Sequence, residues 1–451
     1  MADRASGAVT EGRPRTDSCR SATSESTGSG GLAKSAPFAN KDQPRRGTFH
    51  SLRQPDFRRY SIGMIGSNVG TWMHRIAQMW LALEITGDPA ILGIVTALQF
   101  APILFIGPWA GALAERSDRR NLLIWTQVAL AIQAAFLGAV VLSNAITTPL
   151  LFIFSVLLGI ATAVDGPARQ SFVSDLVDRS ELPNAVALNS TSFNAARLIG
   201  PAAAGFIIAA WGTGWVFLLN AATFVLMIIA LLRIHTHGKR VGKEQARVSD
   251  GVRFVIGHRD LLFVILVAGI VSMFVLNFQM TIAVMATEQF AVGAQTYGVL
   301  ASVMAIGSLA GSLLAARRGR TSLRIVTVSA LGLAGGSIVA GLSPNAWWFG
   351  AALVICGIAA LSMMTGANAY LQTHSGSEHR SRVMALYLAV FFGTTPIGAP
   401  LAGRLAEIAG PRASLIVPGI LAMIATAALA LWFLHRRRTE SSDRINSRRV
   451  A

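Results

Sequence analysis

Runs of about twenty apolar residues recur along nearly the whole chain from Arg59 onward. That repetition constrains the fold more than any motif does. A helix of about 20 residues crosses the roughly 30 Å hydrocarbon layer of a membrane. The backbone finds no water there, so only helices and closed barrels can span the layer. Barrel strands are shorter and alternate apolar with polar residues; these runs do neither. Twelve candidate spans follow: 60–84, 89–113, 121–143, 149–170, 185–210, 213–233, 260–286, 295–316, 322–342, 346–371, 383–408 and 413–434. The chain therefore reads as an all-α membrane protein with twelve transmembrane helices. Composition agrees: 14% of the residues are charged, where a soluble domain carries about 25%.

The formal charge is +17, and its placement decides what it means. The basic residues stand in loops and tails rather than on one face of a soluble domain, which argues against nucleic acid as a partner. Connections after even-numbered spans hold Arg116, Arg119 and Arg120; Arg179; Lys239, Arg240, Lys243, Arg247, Arg253 and Arg259; Arg317, Arg318, Arg320 and Arg324; Arg380 and Arg382; and Arg436, Arg437 and Arg438. The opposite connections (TGDP, SNAITTP, WGTG, SPNA) carry no Lys or Arg before Arg412. By the positive-inside rule the basic connections and both termini face the cytoplasm. Residues 1–55 are rich in Ser, Gly, Arg and Thr and read as a disordered cytoplasmic tail without the apolar core of a signal peptide. Cys19 and Cys356, the only cysteines, give no disulfide framework.

The longest internal connection, 234–259, divides the spans into two sets of six. Shifting the sequence by 198 aligns Gly159-Ile160-Ala161 with Gly357-Ile358-Ala359, Ile199-Gly200 with Ile397-Gly398, Ala204-Gly205 with Ala402-Gly403, and Gly212 with Gly410. A constant offset across two spans and their loop indicates duplication. The expected organisation is a tail at 1–55, a six-helix bundle at 56–233, a cytoplasmic linker at 234–259, a second bundle at 260–435 and a tail at 436–451.

One connection is unusual. GALAERSDRRN, residues 111–121, crowds Glu115, Arg116, Asp118, Arg119 and Arg120 between two apolar spans. Arginines alone would anchor the topology, so the acids need a further reason. With Gly111, Leu113 and Ala114, this stretch resembles the loop motif between the second and third spans of the major facilitator superfamily. Glu115 stands for the usual aspartate and Asp118 for the second glycine. LEITGDPAILGIV (83–95), DGPARQSFVSDLV (165–177) and ALNSTSFNAARLIGPAAAG (187–205) are similar to the branch holding the enterobactin exporter and macrolide-type efflux permeases. The resemblance covers about 55 to 435. It implies two pseudo-symmetric six-helix bundles that rock about a central site. It also implies that the 111–121 loop latches the halves on the cytoplasmic side, with Glu115 docking near the start of the eleventh span. Gly111 would then let a neighbouring helix come close.

Further residues carry chemical possibilities. Gly200, Pro201 and Gly205 resemble the glycine-proline motif of drug/proton antiporters, and Gly398, Pro400 and Gly403 repeat it in the eleventh span. They suit either a dry hinge or ordinary small-residue packing. Ionisable residues inside spans are functional candidates. Arg197, mid-way along the fifth span, needs a counter-ion or an anionic substrate group. Asp165 and Arg169, four apart, can form a same-face pair or do proton or substrate work. His74 and Arg75 share the first span. Asn68, Gln78, Asn277, Gln279 and Asn368 lie on spans that line the cavity in the superfamily, and Trp72, Trp80 and Phe278 offer stacking surfaces. No phosphate loop, metal-ligand cluster or nucleophile elbow occurs in the sequence, so neither an enzyme nor a bound cofactor or metal is expected.

The expected activity is export of a small amphipathic, drug- or siderophore-like molecule across a bacterial inner membrane, by proton antiport and as a monomer. Uptake by proton symport on the same fold is the alternative, and a non-transporting sensor a more distant one. If Glu115 forms the latch, Glu115→Gln reduces flux in vesicles while membrane insertion stays normal; unchanged flux contradicts the latch.

Overall fold

The computed structural model describes residues 49–178, 180–236, 248–318 and 322–450; the side chains of 108, 112, 115, 248–250, 316, 377, 378 and 437–450 fall outside that description. So do residues 1–48 with Cys19, Arg179, Lys239, Arg240, Lys243, Arg247 and Arg320. The first half holds α1 (Pro55–Thr86), α2 (Pro89–Arg116), α3 (Arg119–Leu142), α4 (Thr148–Val173), α5 (Leu182–Trp211) and α6 (Thr213–Leu232). The short α7 (Val248–Gly257) follows. The second half holds α8 (Arg259–Phe274) and α9 (Phe278–Val284), α10 (Ala294–Arg318), α11 (Leu323–Gly341), α12 (Ala346–His374), α13 (Gly376–Gly393) and α14 (Thr395–Ala409), and α15 (Ala413–Val450).

Among the described residues, eleven segments are long and apolar enough to cross a membrane; α8–α9 with its π turn and α13–α14 each count as one. The twelfth, α1, is 32 residues long but more polar. Its polar residues turn inward: Ser67, His74 and Gln78 are all buried. The fold is thus all-helical, with twelve long spans in two six-helix bundles. Three details differ from the sequence reading. The connection 234–259 contains α7. The last helix runs on to Val450 rather than ending near 434, because residues 435–450 include neither Gly nor Pro to stop it. The end of the presumed tail forms a 3-10 turn, His50–Arg53, whose buried Ser51 hydroxyl donates to Asn184 Oδ1 (2.8 Å).

The two halves repeat one packing scheme. In the first, α2 packs on α4, α3 on α4 and α6, and α1 on α5 and α6. In the second, α10 packs on α12, α11 on α12 and α15, and α8 on α13, α14 and α15. Gly212 and Gly410, paired by the 198 offset, both turn the chain with positive φ (88° and 89°), a conformation that side chains resist. Asp88, Asp118, Ser322 and Asn345 cap the starts of α2, α3, α11 and α12. Arg412, in the connection before the last helix, donates to the Ser343 carbonyl just past α11 (3.3 Å).

The bundles meet along two seams, α2 with α14 and α5 with α10. A Cβ on Gly93 would lie 2.5 Å from the Ala399 carbonyl oxygen, and one on Gly298 would strike that of Pro201. Positions 399 and 201 differ by the same offset of 198, so one backbone-to-backbone contact occurs twice. Gly403 closes on Pro89 and Ala90, and Gly205 on Ala294 and Gln295. The Ser302 hydroxyl accepts from the Ala202 N–H across the second seam (3.0 Å). These contacts lie towards the end with the short connections, and reach mid-depth where Phe100 stacks on Phe392 (6.3 Å). Of the motif glycines, Gly205 and Gly403 are therefore seam residues. Gly200 and Gly398 pack within their own halves, against α1 (Trp72 Cβ, 2.6 Å) and α8 (Met273 carbonyl).

Overpacking a tight helix contact costs about 1–3 kcal/mol. Gly298→Ala should therefore lower the thermal unfolding midpoint of the purified protein. Gly107→Ala, which points into open space, should leave it unchanged or raise it; equal effects would contradict the seam.

Candidate functional site

The loop motif resolves into separate tasks. Asp118 accepts from the Arg120 and Asn121 N–H groups (3.0 and 3.4 Å) and starts α3, which explains an acid where the superfamily places a glycine. One Arg119 nitrogen donates to both Asp175 oxygens (2.9 and 2.8 Å), with each side chain about 9% exposed. Arg120 donates to the Leu231 and Leu232 carbonyls at the end of α6 (2.8 and 3.0 Å). Both arginines thus clasp their own bundle instead of reaching the other. Arg116 is exposed. Among the described residues a Cβ on Gly111 would meet nothing within 4 Å, so none of them approaches it closely in this conformation. The Glu115 side chain lies outside the described residues.

A second clasp joins the start of α1 to the end of α6. Asp56 accepts from the Thr236 hydroxyl (2.8 Å), the Thr236 and His235 N–H groups (3.2 Å each) and Arg59 (2.9 Å). Burial pushes the Asp56 carboxyl up, but these bonds outweigh it and hold the group below the usual carboxylate range.

Deeper in the first bundle, polar side chains of α1, α3 and α4 interlock. Asp165 accepts from Thr126 Oγ1 (2.9 Å), Gln127 Nε2 (2.7 Å) and Arg169 Nε (2.5 Å). Arg169 also donates to Ser67 Oγ (2.8 Å) and Asn68 Oδ1 (3.4 Å). The same-face pair expected from the spacing is therefore formed, and it ties α4 to α1. Towards the short-connection end, Gln99 donates to Gln78 (2.9 Å), which donates to Ser155 (2.8 Å). Gln78 is fully buried and serves helix–helix bonding instead of lining a cavity. His74 likewise faces α6: its Nδ1 lies 3.2 Å from Asn220 Nδ2, and its ring meets Phe217 edge-on (4.8 Å).

The other proposed cavity residues are scattered. Asn277 is buried at the break between α8 and α9, where its amide donates to the Met273 carbonyl (3.1 Å). Gln279 offers its backbone carbonyl to the Tyr297 hydroxyl (3.0 Å). Asn368 accepts from Gln372 one turn on. Phe278 is buried in the core, and Trp80 stacks on Tyr297 across the bundles (6.0 Å, 21°).

Trp72 is different. Its ring has the Arg197 guanidinium 5.6 Å from its centroid and that of Arg75 at 5.9 Å. Phe193 meets it edge-on (5.7 Å). Arg75 also lies over Phe100 (5.5 Å), the ring that stacks on Phe392 of the second bundle. Both arginines sit mid-way along their helices and are half-buried. Among the described residues neither forms a hydrogen bond or an ion pair. Arg75 stands among the in-span ionisable residues of the sequence reading, whereas Phe100 and Phe392 escape it because each looks like ordinary span content. The detectable signals are local: Arg75 stands three residues after Trp72 and Arg197 four after Phe193, spacings that share a helix face.

This duplicated twelve-helix frame is one found in known transporters. Residues 46–451 match the family model described as transmembrane secretion effector. The chain belongs to that family of major facilitator transporters. It is 24% identical to the staphyloferrin A transporter of Staphylococcus aureus over 82% of this chain and 94% of the relative. It is 24% identical to macrolide efflux protein A of Streptococcus pyogenes (77% and 88%). It is 25% identical to the multidrug efflux pump Tap of Mycobacterium tuberculosis (79% and 88%). In fold it is similar to a bacterial homolog of the human lysosomal transporter Spinster, inward-facing and unoccupied (TM-score 0.67, 16% identity, covering 83% and 96%), and to a D-xylose–proton symporter (0.65, 13%, 83% and 97%). The protein is a membrane transporter and not an enzyme.

Breaking a buried ion pair costs about 3–5 kcal/mol. Arg119→Ala or Asp175→Ala should therefore destabilise the protein by about that much, and the double variant by less than the sum of the two. Arg116→Ala should change stability by less than about 0.5 kcal/mol. Thermal unfolding checks all four, and additive single effects would contradict the clasp.

Proposed function

We propose that this transporter exports a small amphipathic molecule across the bacterial cytoplasmic membrane in exchange for protons, as a monomer, by alternating access. Its working parts are the bundles at 56–233 and 260–435, joined by the 234–259 connection. The observation that carries the reading is the duplicated glycine seam. It fastens the bundles at the end with short connections and leaves the two halves free to pivot about mid-depth. The basic connections lie at the other end, which the positive-inside rule assigns to the cytoplasm together with both termini. The structure then corresponds to the state facing the cytoplasm, and the intrabundle clasps of Arg119 and Arg120 suit a latch that is open. Macrolide and multidrug efflux proteins among the relatives support the outward direction.

Asp165 is the coupling carboxylate in this scheme, with Arg169 as its partner. A proton arriving at Asp165 would loosen Arg169 and, through it, the bonds to Ser67 and Asn68 on α1. That alters the relative stability of the two facing states, which is all a coupling ion has to do. Arg197 would serve the substrate.

The test is efflux of a compound panel from intact and inverted vesicles with and without an imposed proton gradient. The expected result is gradient-driven movement away from the cytoplasmic face, with Asp165→Asn retaining binding but losing dependence on the gradient. Movement only towards the cytoplasmic face, or flux indifferent to the gradient, would overturn export by antiport.

A further inference from the structure

We infer that the cargo is an organic anion, its carboxylate or similar acid group gripped by Arg75 and Arg197 and its apolar body laid against Trp72. The inference rests on the transporter reading and names the class of molecule that the central site accepts.

Two guanidiniums at one indole ring form an unusual arrangement at this depth. A guanidinium carries five N–H donors and stays charged. Low-dielectric surroundings strengthen its repulsion of a like charge. Proteins ordinarily answer with a carboxylate, as this one does for Arg169 with Asp165 and for Arg119 with Asp175. Arg404 is answered the same way by Glu407, at the exposed end of α14. Arg75 and Arg197 receive no such answer among the described residues. The Trp72 and Phe100 rings attract the cations through their faces but accept none of the N–H bonds. The missing partner is an acceptor of two forked donors, which is the geometry of a carboxylate or phosphate-like group.

The surroundings narrow the class further. Trp72 and Phe193 stand on α1 and α5. Phe100 and Phe392 stand on α2 and α13, so this aromatic wall belongs to both bundles. Glycine keeps it together, since a Cβ on Gly200 would strike the Trp72 Cβ at 2.6 Å. An inorganic ion would leave these rings idle; an amphipathic acid would use both them and the arginines. Neutralising the two guanidiniums would also remove a repulsion between α1 and α5, and so tie occupancy to the position of α5, which takes part in the α5–α10 seam.

The test uses the full-length protein in nanodiscs of zwitterionic lipid. The probes are benzoate, 2-naphthoate and naphthalene-1,4-dicarboxylate, their methyl esters, and 2-naphthylmethylammonium, followed by thermal stabilisation and tryptophan fluorescence. At least one acid should bind ten-fold or more tighter than its ester. Arg75→Gln and Arg197→Gln should each abolish that preference, and Arg197→Lys should restore part of it. Trp72→Ala should weaken acid and ester alike. If Arg75→Gln does not yield folded protein by size exclusion, Arg197→Gln and Arg197→Lys decide. Esters or the ammonium binding as well as the acids, or a preference that survives Arg197→Gln, would overturn the proposal. In proteoliposomes, flux of neutral or cationic members that ignores both arginines would overturn the anion assignment while the transporter reading stands. Acid binding lost in Arg197→Gln, without flux of any member, would support the site and remove the export reading.

Discussion

Backbone touching backbone is the interaction on which this molecule depends. Lipid tails are as apolar as leucine, so burying apolar surface drives no association between helices inside a membrane. What remains is close packing and hydrogen bonding. Gly93 against the Ala399 carbonyl and Gly298 against the Pro201 carbonyl supply the packing between bundles, and a side chain at either glycine would part them. Because the contact occurs twice at equivalent positions, it defines an approximate two-fold relation between the halves. Two thin seams of this kind hold the bundles together without fusing them.

Hydrogen bonding does the corresponding work inside the first bundle, where α1 is the polar strut. Ser67 and Asn68 receive Arg169, His74 meets Asn220, and Gln78 bridges Gln99 to Ser155. These bonds account for the residues that make α1 too polar to pass as a membrane span by composition. Trp72 and Arg75 on the same helix belong instead to the aromatic wall shared by the two bundles, through Phe193 and Phe100. One helix thus separates polar groups that hold the bundle from an arginine held only by aromatic rings among the described residues.

Much of this was legible in the sequence, because hydrocarbon leaves so few solutions. Span length set the helices, charge asymmetry marked the two ends, and the 198 offset found glycines that share a turn geometry, Gly212 with Gly410. Individual side chains were harder, since polarity inside a span has two uses that look alike in one dimension. Gln78 and Asn277 resembled cavity residues and proved to bond neighbouring helices or backbone. Arg119 and Arg120 suggested a latch between halves and instead clasp their own half. Asp118, a departure from the superfamily motif, became intelligible once it was seen to cap α3. Arg75 was noted beside His74 but given no role of its own, because one dimension does not show that Trp72 brings it together with Arg197 of α5.

The account's central claim is that the bundles are fastened at one end and pivot about mid-depth. Paired spin labels test it most directly: one pair at Ser143 and Trp347 on the short-connection side, the other at Ser174 and Thr373 on the basic side. With cargo and a proton gradient supplied in turn, the account predicts opposed changes, the first distance lengthening as the second shortens. Two distances that stay fixed, or that lengthen and shorten together, would contradict it.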